Sequence, residues 1–406
     1  MTRSVLQVNA SDTGGGAEVV SLSLHCAYRA HGLEAILAVG RARSGEQGVI
    51  QIGDAQTRTA RALRDPRVLW DVVRGREDFR FPASHRVLDV PPRPPDVLHL
   101  HNLHGDYFDL RALPDLSGRQ PTIVTMHDEW LYTGHCAYTI DSERWLHGCG
   151  SCPHLDSYPA LRIDGTAANW RRKAELYKRS RLHVVAPSRW LLERAQRSML
   201  APAIVSARVI PNGVDLDLFA PGDRAEARSR LGLPHAACVL VFAAQGARTN
   251  PFKDFETLRG ALTQLGEVVV AVALGEAGED EQLGSVRLCS EPFADRERVA
   301  TYLRAADVYV HATRADNHPL AVLEALACGV PVVSADVGGI REQVTGETGV
   351  RVRPGDPSAM AHGIEALLAD DERRARTGAA AAADARSRFS LDRQVDTYLD
   401  LYDELC

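Results

Sequence analysis

Two carboxylate residues, Asp316 and Glu324, lie eight positions apart across a predicted loop-to-helix junction. The helix is predicted to begin near Pro319, so the unpaired backbone N–H groups of its first turn lie between the two acids. Such a helix start attracts anions because its N–H groups and its dipole both favour negative charge. At about 1.5 Å per helical residue, the two carboxylates can be about 12 Å apart. This spacing predicts contacts with both ends of an extended anionic ligand, such as the sugar and the ribose of a nucleotide-sugar.

Two cationic residues, Arg248 and Lys253, follow a predicted strand at residues 238–244, in a loop that leads into a helix. The chain has 47 basic residues but only three lysines, so a lysine here stands out from the arginine-rich composition. A guanidinium can bind two phosphate oxygens at once, and an ammonium supplies a compact charge. Held together, they would stabilise the charge that develops on a diphosphate leaving group without a metal. The alternative is two solvated surface charges.

A run of three glycines, Gly14 to Gly16, lies between the first predicted strand and the first predicted helix. Glycine lets the backbone approach a phosphate closely, and a helix N-terminus favours the negative charge. The run does not match the G-x-G-x-x-G pattern of dinucleotide-binding folds. From these residues alone, a phosphate-binding loop and a flexible turn are both open.

His127 closes a predicted strand at residues 122–126. Because α/β folds place ligands at the carboxyl ends of their strands, His127 is predicted to orient or polarise a substrate group, and not to act as a nucleophile. Asn102 and His104 follow the preceding strand and are candidates for contact with a second substrate. His99 alternates with apolar residues, which favours a position in the core.

Cys149 and Cys152 have the C-x2-C spacing of metal-binding turns, and Cys136 lies thirteen residues before Cys149. Three cysteines leave a tetrahedral zinc site one ligand short. The candidates for the fourth ligand are His135, His147 and His154. A structural zinc is one hypothesis, and a lapsed site or simple packing of a loop is the other. No catalytic metal is expected.

At 406 residues the chain exceeds what one core usually supports, so two domains are expected. Short apolar strands alternate with helical stretches, which indicates an α/β architecture with parallel sheets. Predicted strands include residues 97–100, 268–274 and 308–311, and predicted helices include 358–368 with Ser358 as N-cap, 371–388 and 391–405. Residues 41–95 carry no predicted element. A Pro-Asn-Gly turn within residues 210–215 is predicted to connect a domain of residues 1–212 to one of residues 213–388, followed by a terminal helix at 389–406.

The net charge of −6 argues against a nucleic-acid partner, whose binding surface would be basic. There is no apolar run long enough for a membrane-spanning helix and no long apolar core of a secretory signal, so we expect a cytoplasmic protein. The basic stretch at residues 170–181 is either a solvated helix face or a contact with an anionic inner-membrane surface. Four cysteines within apolar surroundings predict buried thiols of a reducing compartment, namely Cys26, Cys238, Cys289 and Cys328.

In their order along the chain, these motifs resemble the family-4 retaining glycosyltransferases of GT-B fold. The GGAE run that begins at Gly15 resembles the family's glycine loop, and Arg248-x4-Lys253 resembles its R-x4-K-G motif. The family's E-x7-E motif corresponds to Asp316 and Glu324, and the EA-A-G-PVV stretch that follows matches as it stands. The histidine at a strand end and the IPNGVD segment match as well.

The resemblance implies two Rossmann-like domains facing a central cleft. It implies transfer of a hexose, with retention, from a nucleotide-sugar (UDP favoured over GDP) to a hydroxyl of a sugar, lipid-linked or natural-product acceptor. The leaving phosphate itself would accept the proton of that hydroxyl, and no cofactor would be required. The residues to which it assigns catalytic roles are His127, Arg248, Lys253 and Asp316. Those to which it assigns donor binding are Gly15, Gly16, Asn317, His318, Leu320, Ala321, Val322 and Glu324.

The chain departs from the family's pattern at two positions. Asp316 stands where the first Glu of the motif is usual, and its shorter reach is expected to alter the sugar preference. Asp254 replaces the glycine after Lys253, so the backbone geometry of that loop is expected to differ from the family's. Two other functions stay open on these residues: another GT-B chemistry such as a sugar epimerase or phosphorylase, and a catalytically weak nucleotide- or carbohydrate-binding protein.

Overall fold

The computed structural model describes residues 3–53, 58–77, 79–243, 246, 248, 250–267, 269–275, 277–292 and 295–406. The chain forms two compact units, one of Met1–Ile210 with Val395–Cys406 and the other of Pro211–Gln394. The border at Ile210 falls two residues before the position predicted from the Pro-Asn-Gly turn. Ala244 and Val268, which were predicted to end one strand and begin another, lie outside the described residues.

The first unit is built on a parallel sheet of short apolar strands. They are β1 Ser4–Ser11, β2 Glu34–Arg41, β3 Val49–Gln51, β4 Val97–Leu100, β5 Thr122–Thr125, β6 Leu182–Ala186 and β7 Ile204–Val209. Over the described residues the seven strands lie in the order β3-β2-β1-β4-β5-β6-β7, and every pair is parallel. In such a sheet, ligands bind where the strand order reverses, here between β1 and β4.

The helices of the first unit cover this sheet. They are α1 Gly16–Ala30, α2 Arg58–Ala62, α3 Pro66–Val72, α4 Leu113–Arg119, α5 Thr166–Tyr177 and α6 Arg189–Gln196. Side-chain caps begin two of them: Asp65 accepts from the backbone N–H of Arg67 in α3, and Ser188 accepts from that of Leu191 in α6. Strand β3 and helices α2 and α3 lie within residues 41–95, where the sequence predicted no element.

The second unit has a sheet of its own. Its strands are β8 Cys238–Ala243, β9 Val269–Leu274, β10 Glu281–Leu283, β11 Val286–Glu291, β12 Val308–His311, β13 Val332–Ala335 and β14 Gly349–Val352. Where the structure describes them, they lie in the order β10-β11-β9-β8-β12-β13-β14, parallel except for the β10–β11 pair. Successive residues of β8 enter opposite core clusters, Val239 and Val241 on one side and Leu240 and Phe242 on the other. Both faces of the sheet are therefore buried.

Helices of the second unit alternate with its strands. They are α7 Arg224–Leu231, α8 Phe255–Leu262, α9 Arg296–Ala305, α10 Leu320–Ala327, α11 Ile340–Gln343, α12 Pro357–Leu368 and α13 Asp371–Arg388. Ser358, a predicted N-cap, lies inside the first turn of α12 instead. The cap is Asp356, whose side chain accepts from the backbone N–H of Ala359 at 2.9 Å. Pro357 takes the first helical position, where its missing N–H costs nothing, so the cap is the residue before it.

The last helix, α14 Leu391–Leu405, begins in the second unit and continues into the first at Val395. Its buried tyrosines bond to strands of the first unit: the hydroxyl of Tyr398 lies 2.8 Å from that of Thr125, and the hydroxyl of Tyr402 lies 2.8 Å from Nδ1 of His99. His99 is fully buried, as its alternation with apolar residues predicted.

Both units thus have the predicted α/β class. The predicted burial of four cysteines is correct only for Cys328. Cys26 is exposed because it lies on the solvent side of α1, and Cys238 and Cys289 are half-buried. In the part of the chain that the structure describes, no helix combines the length and the apolar character needed to cross a membrane.

Candidate active site

A buried ion cluster lies at the carboxyl end of β12. The ammonium of Lys253 is 2.5 Å from Oδ2 of Asp316, and Nε2 of His311 is 3.3 Å from the same oxygen. Asp316 follows β12 by five residues, and its other oxygen accepts from the backbone N–H of Asn317 at 2.9 Å. The strand and the chain turn before α10 therefore aim this carboxylate at Lys253. Sequence analysis missed His311, although it closes a strand in the same way as His127.

Charge and burial compete at Asp316. Burial disfavours its ionised form, but the Lys253 ammonium and the His311 hydrogen bond outweigh burial and hold the pKa of Asp316 below its usual range. Burial lowers the pKa of His311, so the ring is neutral at pH 7 and donates its Nε2 proton to the carboxylate. The cluster is thus an ammonium–carboxylate pair supported by a neutral imidazole.

Arg248, the second predicted cation, is paired with a different acid. Its guanidinium lies 2.5 Å from Oε1 of Glu281 in β10, and Arg259 contacts the other oxygen of Glu281 at 3.2 Å. The guanidinium also lies over the ring of Phe255, at 4.7 Å from the ring centre. The two predicted cations are therefore each held by their own carboxylate. Glu281 was not predicted because its strand is only three residues long.

Asp254, which replaces the glycine of the family pattern, is a structural residue. It is buried at the start of α8, accepts from the hydroxyl of Thr257 at 2.7 Å and pairs with Arg314 at 3.3 Å. Its φ of −68° is open to any L-residue, so glycine is not required here. The carbonyl of Phe252 accepts from the backbone N–H of Arg314 at 2.8 Å, which ties the Lys253 loop to the Asp316 loop.

The start of α10 carries the remaining predicted donor-binding residues. Leu320, Ala321 and Val322 form its first turn, with Pro319 as the cap residue, whereas Asn317 and His318 precede the helix. Only residues 320–324 of the 316–324 span are helical. The predicted separation of about 12 Å between the Asp316 and Glu324 carboxylates assumed a helical rise over the whole span, so that value does not apply.

His318 is engaged inside the second unit. Its Nδ1 lies 3.1 Å from the amide nitrogen of Gln343, and its carbonyl accepts from the side chain of Asn212 at 3.0 Å. Its ring also contacts Phe389 edge-on. Burial lowers the pKa of His318 to about 3, so the ring is neutral. The ring serves the packing of this segment, and Asn212 of the predicted connector holds its backbone.

Glu324 lies in the second turn of α10, with 14% of its side chain exposed. Burial raises the pKa of Glu324, and the guanidinium of Arg296, 3.7 Å away, opposes that effect. Glu324 is therefore not a solvated acid on the helix surface. Arg296 begins α9 and was not singled out in the sequence.

In the first unit, the glycine run leads directly into α1. Gly15 is the residue before the helix, and Gly14 has a φ of +143°, a conformation that favours glycine. The carboxylate of Glu18 covers this turn, since a Cβ added at Gly15 would lie 3.3 Å from its Oε2, whereas one added at Gly16 would meet open space. Burial raises the pKa of Glu18. The loop is therefore closed on one side by an acid of its own helix.

His127 belongs to a chain of buried hydrogen bonds that determines its tautomer. The amide nitrogen of Gln7 is 3.1 Å from the carbonyl of Ser21 and 3.3 Å from Nε2 of His101. Because the Ser21 carbonyl can only accept, the amide nitrogen of Gln7 faces it and donates its second hydrogen to His101. His101 then carries its proton on Nδ1 and donates it to Nε2 of His127, 3.1 Å away. His127 is therefore protonated on Nδ1.

The surroundings keep this histidine chain neutral. Burial lowers the pKa of His127 to about 4, against the opposing effect of Asp128. Next to it, Nε2 of His104 is 2.8 Å from Oδ2 of Asp128. Burial opposes ionisation of Asp128, but His104 outweighs it and lowers the pKa of Asp128. Of the two other strand-end candidates, His104 is thus a hydrogen-bond partner of Asp128, and the carbonyl of Asn102 accepts from the hydroxyl of Tyr107 at 2.5 Å.

The three cysteines of the predicted zinc site line one cavity together with His135. Burial raises the pKa of the Cys136 thiol, and it raises that of Cys149 to about 11. Within the described ranges, no three His, Cys, Asp or Glu side chains already stand at the mutual distances of a metal site.

The basic stretch at residues 170–181 is not uniformly solvated. Lys173 is fully buried and donates to the carbonyls of Trp130 at 2.9 Å and Thr133 at 3.2 Å. It also pairs with Glu77 at 3.2 Å, a partner 96 residues away. Its role is to hold the segment after β5 against α5.

Comparison with known protein families identifies both units. A family described as Glycosyltransferase Family 4 matches residues 14–218, and one described as Glycosyl transferases group 1 matches residues 285–384. The chain is 27% identical over 354 residues to the putative colanic acid biosynthesis glycosyl transferase WcaC of Escherichia coli, covering 84% of each chain. It is 40% identical over 213 residues to a D-inositol 3-phosphate glycosyltransferase of Xylanimonas cellulosilytica, a match that spans half of that relative.

Solved structures of glycosyltransferases share the fold. Sucrose-phosphate synthase of Thermosynechococcus elongatus aligns with a TM-score of 0.74 at 18% identity, covering 99% of both chains. Anabaena HepE, solved in complex with UDP-glucose, aligns with a TM-score of 0.68 at 20% identity, again over 99% of both. From the family matches over both units and this likeness of fold, the chain belongs to Glycosyltransferase Family 4 and has the GT-B fold.

Proposed function

We propose that this chain is a retaining hexosyltransferase that moves a hexose from a nucleotide-sugar, with UDP favoured over GDP, to a hydroxyl acceptor. The observation that carries the proposal is the buried Lys253–Asp316–His311 cluster beside the start of α10. An ammonium suited to a diphosphate and an ionised carboxylate suited to sugar hydroxyls stand in direct contact there. The choice of UDP as donor nucleotide is supported by HepE, a protein of the same fold whose structure was solved in complex with UDP-glucose.

Lys253 can serve the leaving group without leaving Asp316. An ammonium has three N–H donors, and Asp316 takes one of them, so the others can reach phosphate oxygens. As the glycosidic bond breaks, negative charge grows on the diphosphate, and a cation held in place stabilises that charge more than it stabilises the ground state. Asp316 stays ionised at neutral pH and accepts from the donor sugar's hydroxyls.

Arg248 would bind the diphosphate by exchanging its partner Glu281 for phosphate oxygens. At rest it is paired with Glu281, but Arg259 contacts the same carboxylate and can keep it neutralised when Arg248 turns to a phosphate. A guanidinium can then bind two phosphate oxygens. Because Arg248 and Lys253 supply positive charge from the protein, we propose a transfer that does not depend on a catalytic metal.

Glu324 is assigned to the ribose, since a carboxylate has two oxygens with which to accept from two neighbouring hydroxyls. In the first unit, His127 is neutral and protonated on Nδ1, and we assign it to donating a hydrogen bond to a substrate hydroxyl or ring oxygen. The retaining outcome is proposed to proceed on the front face, with the leaving phosphate accepting the proton of the acceptor. Membrane contact through residues 170–181 stays a prediction.

The test is a thermal-shift titration with UDP, GDP, ADP and TDP, on the wild type and on Glu324→Ala. We expect UDP to raise the melting temperature of the wild type and to lose most of that effect in the variant. Stabilisation by another nucleotide alone would contradict the UDP preference. No stabilisation by any of the four would contradict the donor site. Product analysis with UDP-glucose and a sugar acceptor then separates glycosyl transfer from epimerase or phosphorylase chemistry, and a bound but unconverted donor would indicate a binding protein.

A further inference from the structure

A long connection between β5 and α5 contains a cavity that the proposed transfer does not use. Three thiols face it, from Cys136, Cys149 and Cys152, and so does the buried ring of His135. The four residues come from two segments of the connection, residues 135–136 and 149–152. Their side chains carry three sulfur donors and one imidazole, which is the Cys3His donor set of structural zinc sites.

The His135 ring is oriented as a metal ligand requires. Its Nδ1 lies 2.9 Å from the carbonyl of Pro159, and since a carbonyl can only accept, the ring proton is on Nδ1. The lone pair on Nε2 therefore points the other way, toward Sγ of Cys152 at 3.5 Å. Metal-bound histidines commonly donate their second ring N–H to a carbonyl in this manner, which fixes the tautomer.

The distance between these two donors matches a tetrahedral zinc site. With Zn–S of about 2.3 Å, Zn–N of about 2.0–2.1 Å and a tetrahedral angle, the S···N edge is about 3.6 Å. The 3.5 Å between Cys152 and His135 equals that edge within the spread of such bonds. One edge of the tetrahedron is thus already formed, while Cys136 and Cys149 stand around the same cavity.

A backbone N–H also faces the sulfur of Cys149. The N–H of Gly134 points at its Sγ, at 3.2 Å, a contact that stabilises negative charge on sulfur. The turn between Cys149 and Cys152 contains Gly150 and Ser151, both with positive φ, and this reversal brings the two thiols to one side.

We propose that Cys136, Cys149, Cys152 and His135 bind one structural zinc ion that fixes the connection between β5 and α5. Of the other histidines of the predicted set, His147 is exposed and does not line the cavity. His154 lines the cavity with its Nε2 bonded to Asp141 at 2.7 Å, and we assign the fourth position to His135 because its Nε2 lies 3.5 Å from Sγ of Cys152. On binding, Cys136 and Cys149 turn toward the preformed edge. The connection starts directly after His127, and Asp164 ties its far end to α5 through the backbone N–H groups of Cys152 and Thr166.

The first experiment measures the metal itself. The full chain is purified without a histidine tag from medium containing zinc, and its metal content is measured. The apo-protein is then titrated with Co²⁺ alone. We expect zinc equimolar with protein, and a Co²⁺ spectrum with thiolate charge-transfer bands and the intense visible bands of tetrahedral coordination. A protein without zinc whose Co²⁺ spectrum is that of the free ion would overturn the proposal, and this result needs no variant to fold.

Variants then identify the ligands. Cys152→Ser should lose the zinc and the charge-transfer bands, and His135→Ala should weaken Co²⁺ binding at least tenfold. The matched controls are Cys289→Ser, a thiol of the second unit, and His154→Ala, a cavity histidine assigned no metal contact. Both controls should bind as the wild type does. A His135→Ala variant that binds normally, or a His154→Ala variant that does not, would overturn the assigned ligand set.

Discussion

Lys253 and Asp316 share a 2.5 Å hydrogen bond, so the cation assigned to the diphosphate and the acid assigned to the sugar form one unit. They are 63 residues apart in sequence and meet because the loop after β8 and the loop after β12 reach the same end of the sheet. Strands β8 and β12 are hydrogen-bonded neighbours, which explains why two motifs far apart in sequence act at one place. In the proposed reaction, loss of either residue therefore alters both functions.

Replacing Asp316 by Asn should destabilise the second unit. The substitution keeps the shape of the side chain but leaves the largely buried Lys253 ammonium without its counter-ion, a loss of about 3 kcal/mol in the free energy of unfolding. Urea unfolding of Asp316→Asn beside the wild type measures it. Asp336→Asn, which removes a more exposed acid of the same unit, is the control and should change stability little. Equal losses of unfolding free energy for the two substitutions would show that the Lys253–Asp316 pair stabilises the fold no more than an exposed ion pair does.

Asp254→Gly restores the family's residue but should not improve this protein. It removes the hydrogen bond to Thr257 and the ion pair with Arg314, which together hold the Lys253 loop. We expect a loss of about 1–2 kcal/mol in stability and a higher KM for the donor. Asp223→Gly, which removes the cap of α7, is the matched control and should lower stability without raising the donor KM. An unchanged KM in Asp254→Gly would contradict a positioning role for Asp254.

The protonation of His127 should depend on Gln7. In Gln7→Glu, a carboxylate can only accept, so it draws the proton of His101 to Nε2 and reverses the direction of the His101–His127 bond. His127 then loses its Nδ1 proton. We expect kcat to fall about 10–100-fold with little change in donor KM, as for loss of one oriented hydrogen-bond donor. Nitrogen-15 NMR of the histidines should show the change of tautomer. A normal tautomer with reduced kcat would refute this explanation.

The buried histidines should make the fold sensitive to acid. Burial lowers the pKa of His99 to about 3 in the folded chain, whereas an unfolded histidine titrates near 6.5. The unfolded state therefore binds the proton first, and the stability supplied by neutral His99 is complete above pH 6.5 and lost as the pH falls toward 3. The slope is about 1.4 kcal/mol per pH unit in this window. Urea unfolding of the wild type and of His99→Gln between pH 7 and 4 tests this, because the variant should lose that part of the slope.

Sequence patterns predicted the central strands and long helices well because a few residues determine each one. Strands Val97–Leu100 and Val308–His311 have the predicted bounds, and so do helices Asp371–Arg388 and Leu391–Leu405. The missed strands are short or polar and lie at or near the sheet edges, as Val49–Gln51 and Glu281–Leu283 do. Their strand state depends on a neighbouring strand, which local composition does not contain.

The site residues, like the strands, were predictable only where local sequence determines them. Residues at strand ends and helix starts were found from local pattern, but their partners were not. Arg248 with Glu281, Lys173 with Glu77 and Gln7 with His101 are contacts between distant segments. A strand-end rule applied to every strand would have found His311. No pattern in the sequence distinguishes the buried Lys173 from the exposed Lys178, since both lie in one basic stretch.

The most direct test of the proposed function is the kcat/KM for UDP-glucose of Lys253→Ala, measured beside Lys178→Ala. Lys178 is an exposed lysine of the first unit that pairs with the exposed Glu175, so its loss should leave kcat/KM unchanged. If Lys253 stabilises the leaving diphosphate, its loss should lower kcat/KM about 10²–10³-fold, the cost of one transition-state contact of this kind. A kcat/KM for Lys253→Ala equal to that of the Lys178 control, in a folded protein, would contradict the account.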